Sequence, residues 1–406
     1  MRENPFRYGP AALGPNFTDR TTELETLVRD LRSRQNVVII SPRRFGKTSL
    51  ALTARDRLVQ EKVLVAYADL FRATTKHRLL EELGTALYRG LASALDRARA
   101  GALDLFKSLP LSPKLTVGKD GSPAIEFGPL AVQEDQDRAL QHLLDLPEQF
   151  GRERGRQVVA ILDEFQEIVT LDPALPAMLR ATMQLQEHVA YAFLGSRKHL
   201  MTRVFTDRNE PLYRSARALP LGPISAVDFA AFIRRTFEST EVWIEDDAVE
   251  RILAITDGHP HDTQELAHFA WERGVELGKV VTFSDVEAAL LDVVEAEDAH
   301  YTTLWESLSR AQRPLVQALA TEPTAAPYAE AFRSRHQLGS AATVQRALQA
   351  VMERDVVDGS SIHGYRVSDV FLRTWIAVTL GSGVATAKLS AQATATATQP
   401  SRDTKV

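Results

Sequence analysis

The stretch that most narrows what this chain can fold into is Val37 to Leu50. Four apolar residues, Val37-Val38-Ile39-Ile40, run into Ser41-Pro42-Arg43-Arg44-Phe45-Gly46-Lys47-Thr48, and Ser49-Leu50 continue into a helical pattern. A short buried strand, a turn and a helix opening on Gly-Lys-Thr form the setting in which backbone N–H groups cradle a phosphate. The helix N-terminus adds about half a positive charge at the same point. Ser41 to Ser49 is therefore the expected phosphate cradle, with Lys47 reaching the outer phosphates and the Thr48 hydroxyl holding Mg²⁺. Ser41 stands where the usual pattern has its first glycine, and a serine still allows the turn. The alternative is a plain surface turn, against which the strand before and the helix after both speak.

A second signal lies downstream. Val158-Val159-Ala160-Ile161-Leu162 is an uninterrupted apolar run, as expected of a strand buried on both faces, and it ends in Asp163-Glu164. Two carboxylates closing a buried strand are costly without a charge partner. Mg²⁺ is the matching partner: Asp163 orients it, and Glu164 is the base that aligns and deprotonates the attacking water. A solvated acidic turn is the plainer alternative.

Between and around these motifs the pattern alternates strand and helix. Val63 to Leu70 reads as a second strand whose Asp69 either touches the Mg²⁺ shell or caps the helix starting near Thr75. Lys76 to Ala98 and Glu134 to Arg154 read as helices. Lys114 to Phe127 reads as an inserted hairpin turning at Lys119-Asp120-Gly121. Pro176 to His188 is expected to be helical, Val189 to Leu194 a further buried strand, and Arg217 to Leu221 the last short one. After Leu194 come Ser196, a γ-phosphate or water sensor, and Arg197, a charge stabiliser acting in cis; each has a helix cap or a surface charge as its alternative. Upstream, Asn16-Phe17-Thr18-Asp19-Arg20 precedes a helix beginning near Thr21 or Thr22, with Glu25 spaced for a capping box on Thr22. Phe17 either lies over the nucleotide base or packs on the sheet.

Composition removes several classes. Cysteine is absent, which excludes disulfides, thiolate metal sites and a cysteine nucleophile and fits a reducing cytoplasm. A net charge of −5 advertises no bulk affinity for nucleic acid. The first residues have no apolar core like a signal peptide, and no apolar run is long enough to span a bilayer.

The second half is mainly helical. Asp228 to Gly278 reads as a lid, with the turn Gly258-His259-Pro260 opening a helix whose N-terminus could face the nucleotide; His259 and His261 carry no expected metal role. Asp292 to Thr303 reads as a charged connector. Glu306–Thr321, Tyr328–His336 and Ser340–Arg354 then read as three helices before a hairpin of Asp355–Asp358 and Tyr365–Val367, the order of a winged helix. From Thr302 to Leu380 there are eight Arg and no Lys against seven Asp plus Glu, thin for phosphate-driven binding, with Arg346 and Arg354 on the would-be recognition helix. DNA contact and a packing or protein-contact role both stay open. Gly381 to Val406 is Ala/Thr/Ser-rich, without an aromatic residue, and is expected to be disordered.

Taken together, Asn4-Pro5-Phe6, Phe17-Thr18-Asp19-Arg20, the loop through Leu50, Leu162-Asp163-Glu164-Phe165-Gln166, Phe193-Leu194-Gly195-Ser196, Gly258-His259-Pro260 and Tyr365-Arg366-Val367-Ser368-Asp369 resemble the archaeal-type P-loop ATPases of the STAND and AAA+ group, relatives of the origin-recognition ATPases. The resemblance implies an α/β fold with a parallel sheet ordered 5-1-4-3-2, flanked by helices, in a core over 1–222. It further implies a helical lid over 223–295 and a winged helix over 302–380, and it leaves out the tail over 381–406. It implies a cytoplasmic ATP- and Mg²⁺-dependent ATPase working as a nucleotide-operated switch, with slow turnover, binding ATP and ADP. Phe17, Arg20 and Pro260 would join Ser41–Ser49 at the nucleotide. A protein partner or self-association is implied, an ATP-regulated DNA-binding role is the alternative, and no membrane is involved. Gly258-His259-Pro260 stands where many AAA+ lids carry a sensor arginine, which argues against catalysis in trans.

Overall fold

The computed structural model describes residues 2–14, 17–18, 20–92, 113–118, 120–128, 133–278, 280–360 and 364–381. The chain divides into two compact units: Ala11–Pro223, and Met1–Pro10 together with Ile224–Val406.

The first unit runs α1 (Thr21–Arg32), β1 (Val37–Ile40), α2 (Lys47–Gln60), β2 (Leu64–Asp69), α3 (Lys76–Ala92), β3 (Pro113–Val117), β4 (Pro123–Phe127), α4 (Gln133–Arg154), β5 (Val158–Asp163), α5 (Gln166–Leu171), α6 (Leu175–Met183), β6 (Val189–Gly195), α7 (Lys198–Thr206) and β7 (Arg217–Pro220). Five strands form one parallel sheet in the order β2-β5-β6-β1-β7. With the hairpin strands set aside, this is the expected 5-1-4-3-2 arrangement. Side chains alternate between faces along each strand. Val37, Ile39, Ala190, Ala192 and Leu194 pack with Leu27, Leu31, Leu50 and Leu58 on one side. Val38, Tyr191 and Phe193 pack with Leu80, Leu140 and Phe205 on the other. Burial on both faces is why the strands are nearly continuous apolar runs. The register sets Asp69 beside Asp163 and Ile40 beside Gly195, so the segments after β1, β5 and β6 leave from one edge of the sheet.

The hairpin β3–β4 lies against α3: Ile125 and Phe127 are buried, and the Ile125 N–H donates to Thr85 Oγ1 at 2.9 Å. Lys119 of its turn, residues 93–98 of the expected helix and the tail from 382 lie outside the described residues. The helix after Arg20 begins at Thr21 and has no side-chain cap, so Thr22 sits inside its first turn and the Thr22–Glu25 capping box is not formed. Asp69 caps not the helix near Thr75 but a short 3-10 turn, Leu70–Arg72, by accepting from the Phe71 N–H at 3.1 Å. Thr75 itself accepts from Arg78 N–H at the head of α3.

The second unit runs α8 (Ala226–Glu238), α9 (Asp246–Thr256), α10 (Pro260–Leu277), α11 (Phe283–Ala296), α12 (Asp298–Ser307), α13 (Gln312–Thr321), α14 (Glu330–Arg335), α15 (Ala341–Glu353), β8 (Val357–Ser360), β9 (Gly364–Val367) and α16 (Val370–Thr379). One core joins the expected lid to the winged helix, from Phe229, Ile252 and Leu266 through Val293 and Tyr301 to Leu319, Leu348 and Trp375. The charged connector expected over Asp292–Thr303 is helical instead, because Val293, Val294 and Tyr301 form a buried apolar face that overrides the surrounding charges. The single helix expected over Glu306–Thr321 is broken: Ser309 and Gln312 cap each other through Ser309 N–H to Gln312 Oε1 and Gln312 N–H to Ser309 Oγ, starting α13 afresh. Among the described residues no helix is long and apolar enough to cross a membrane.

Candidate active site

Ser41 to Ser49 links β1 to α2. Gly46 has φ +81° and Arg44 φ +64°, so the loop's two left-handed positions fall there and not at Ser41. That is the physical reason a serine is tolerated at 41 while Gly46 is needed; no atom stands within 4 Å of a Cβ at Gly46, so its constraint is conformational. Ser41, Lys47 and Ser49 are buried, whereas Arg43 and Arg44 are exposed. Lys47 Nζ donates to the carbonyls of Ser41 at 3.0 Å and Pro42 at 2.6 Å.

Thr48 Oγ1 donates to Asp163 Oδ2 at 2.7 Å, which brings the loop and the acid pair together across 115 residues of sequence. Tyr67 OH donates to the same oxygen at 2.8 Å, and the Glu164 N–H to Oδ1 at 2.9 Å. Asp163 is only 2 % exposed, and burial pushes its carboxyl above the ordinary aspartate range, against the lowering from the Thr48 and Tyr67 bonds. Burial, reinforced by the Asp163 charge, pushes the Tyr67 phenol up as well.

Glu164 takes a left-handed backbone with φ +52°. Its Oε2 accepts from Ser196 Oγ at 2.8 Å and from Gln166 Nε2. Ser196 is fully buried and does not cap α7, whose N-cap is Arg197. Arg197 is partly exposed, 3.6 Å from Glu167. Two residues on this network were given no role from the sequence: Tyr67, marked only by lying on the strand two before Asp69, and Gln166, which entered only as the end of the Leu162–Gln166 match.

Arg20 is 4 % exposed and holds the loop: it donates to the carbonyls of Phe45 at 3.3 Å and Gly222 at 2.6 Å and pairs with Glu23 at 3.0 Å. Ser49 Oγ accepts from the Ala12 N–H at 2.9 Å. Phe17 is partly buried and packs against the core on that face of the sheet. Pro260 belongs to the other unit, where it opens α10 behind an N-cap His259. The two histidines, given no metal role from the sequence, do have carboxylates beside them: His261 Nδ1 lies 3.4 Å from both Asp262 and Glu265, which are buried on the same helix turn. Their ligand atoms lie within 4.8 Å of one another. Burial would raise the Asp262 carboxyl, yet the side chains of His259 and His261 beside it bring it down to about 2.

A parallel sheet of this order, a glycine-lysine-threonine loop after its first strand and an acid pair whose aspartate accepts from that threonine define a P-loop ATPase. Residues 17–266 match the family model described as an ATPase domain predominantly from Archaea, and residues 299–378 match that of a probable winged helix domain. The first match covers more than half of the 406 residues, and the chain belongs to that ATPase family. The Walker-type ATPase paby2304 of Pyrococcus abyssi is similar in fold at 16 % identity and TM-score 0.64, over 92 % of this chain and 99 % of that one. The ADP form of the Aeropyrum pernix ORC2 protein aligns at 15 % identity and TM-score 0.49, over 95 % of this chain and 98 % of that one. No curated protein matches the chain.

Proposed function

We propose that this protein is a Mg²⁺-dependent ATP hydrolase that works as a nucleotide-operated switch. The observation that carries hydrolysis is the Thr48–Asp163 hydrogen bond, which joins the phosphate loop to the acid pair. The donor set fits the ion: a hydroxyl and a carboxylate, hard oxygen ligands, with the carboxylate desolvated enough to favour a cation beside it. Bound there, Mg²⁺ would neutralise charge developing on the outer phosphate oxygens. Lys47 and the loop N–H groups bind and orient the triphosphate, with Pro42 to Phe45 shaping the cradle. Glu164 accepts the proton of the attacking water, Ser196 orients that water or reports the γ-phosphate, and Arg197 offers positive charge in cis. ATP over other nucleotides follows from the family.

The switch reading rests on how the chain leaves the first unit. It crosses between units twice, after Pro10 and after Pro223. Within the first unit both crossings are hydrogen-bonded to the phosphate loop or its helix: Ala12 to Ser49, and Gly222, through Arg20, to Phe45. A change at the phosphates thus reaches both connections. The winged helix serves as a packing module in this reading, since its core is continuous with the lid's and Arg354 is engaged by Ser307 at 2.6 Å. Its output is a protein contact or self-association.

Glu164→Gln is the test. Turnover in the wild type is expected near 10⁻³ to 10⁻² per second, about that of unstimulated switch NTPases. The variant should bind Mg-ATP with wild-type affinity in calorimetry and hydrolyse it at least about 10²-fold more slowly. Full turnover in that variant would refute the assigned base.

A further inference from the structure

We infer that Gln166 is a positioning residue for hydrolysis: its amide holds one oxygen of the Glu164 carboxylate and ties that group to the end of β6. The inference rests on Glu164 being the base.

Gln166 is 1 % exposed and opens α5 directly after the acid turn. Its Nε2 donates to Glu164 Oε2 and, at 3.4 Å, to Ser196 Oγ. Its Oε1 accepts from the Ser196 N–H at 3.3 Å. Ser196 Oγ closes the ring on Glu164 Oε2 at 2.8 Å. Only a side chain with a donor on one arm and an acceptor on the other makes this set of contacts. A glutamate at 166 would face Glu164 with a like charge, and an apolar residue would strand the buried Ser196 N–H.

Two features of the backbone exist to permit the contact. Side chains two apart on a helix do not face each other. Glu164 escapes that rule by its left-handed φ of +52°, which turns the chain sharply between β5 and α5. Across the ring, β6 ends in Gly195. A Cβ there would stand 2.6 Å from Gln166 Oε1 and 2.4 Å from Met201 Cγ, so a side chain at 195 would have to displace the amide and Met201. Both donors converge on Oε2, which assigns the other oxygen, Oε1, to the proton of the water. With Gln166 removed, the carboxylate would pivot on Ser196 alone. A displacement of the base by about 1 Å costs on the order of 10²-fold in rate.

The test uses the full chain with Mg-ATP. Gln166→Ala and the near-isosteric Gln166→Met should lower the single-turnover rate about 10²-fold while the ATP Kd stays within about twofold, a kcat effect without a binding effect. In a Glu164→Gln background the same changes should cost nothing more, because no base is left to position. A loss that adds in full to that of Glu164→Gln, or wild-type turnover in Gln166→Met while Glu164→Gln is dead, overturns the positioning role and leaves the base standing. Wild-type turnover in Glu164→Gln removes the base itself. Where Gln166→Ala does not fold, Gln166→Met carries the comparison.

Discussion

Asp163 is a carboxylate at the centre of a packed sheet edge whose hydrogen bonds come from two hydroxyls and one backbone N–H. Burial holds its carboxyl above the ordinary range, so the folded chain keeps this proton to a higher pH than the unfolded chain does. The unfolded chain then binds fewer protons, and stability from this group falls as pH rises past the ordinary aspartate value of about 4. Asp163→Asn is expected to melt above wild type at pH 7 without nucleotide, and the gain should vanish as the pH falls to about 4. The same variant should lose the stabilisation that Mg-ATP confers. Melting temperatures across pH, with and without Mg-ATP, check both halves; a variant that melts below wild type at pH 7 sinks the account. At this scale the sequence was informative wherever chemistry and strand pattern coincided. Asp163 and Glu164 stand out because they close an apolar run, and Lys47 and Thr48 because a helix opens on them after a strand and a turn. Gln166 does not, because its contact depends on a left-handed glutamate, and nothing about a glutamate announces that backbone.

Elements were legible where a packing demand is written as a long apolar run, as in β5 and β6, and illegible where it is met by a single small residue. Gly90 sits in the interior of α3, where glycine is a poor helix former. Its reason is the sheet beneath: a Cβ there would stand 2.4 Å from the Val65 carbonyl oxygen and 2.9 Å from Ala66 Cα. The obstacle is backbone, so no side chain can swing aside. Gly90→Ala is therefore expected to destabilise the first unit by about 1–3 kcal/mol, although alanine is the better helix former by about 1 kcal/mol. Denaturant unfolding measures it, and a stabilised variant would mean that α3 rides higher on β2 than described. The same blindness explains the connector over Asp292–Thr303. Its charges are conspicuous in the sequence, while the buried stripe of Val293, Val294 and Tyr301 shows only against a core supplied from elsewhere.

At the scale of the molecule, residues 2–10 belong to the compact unit that resumes at Ile224 and not to the unit they lead into. Phe6 is 1 % exposed, its ring 5.0 Å from that of Phe237 and 6.3 Å from that of Phe232. Asn4 Oδ1 accepts from the Phe6 N–H, Asn4 Nδ2 donates to the His268 carbonyl, and His268 Nδ1 meets the Phe6 carbonyl at 2.8 Å. No local pattern could reveal a clip closed across more than 220 residues; the sequence offers Asn-Pro-Phe and no hint of its socket. The clip makes a separable prediction. Mg-ATP held at the proposed site of the first unit should raise the unfolding temperature of that unit. Phe6→Ala removes a core ring of the second unit, a loss of about 3–5 kcal/mol, and should lower that unit's unfolding temperature alone. Scanning calorimetry with Mg-ATP should therefore separate one transition that nucleotide raises from another that Phe6→Ala lowers. If the variant leaves the second transition in place, the segment is a passenger there, and only the Pro223 crossing anchors the second unit to the first.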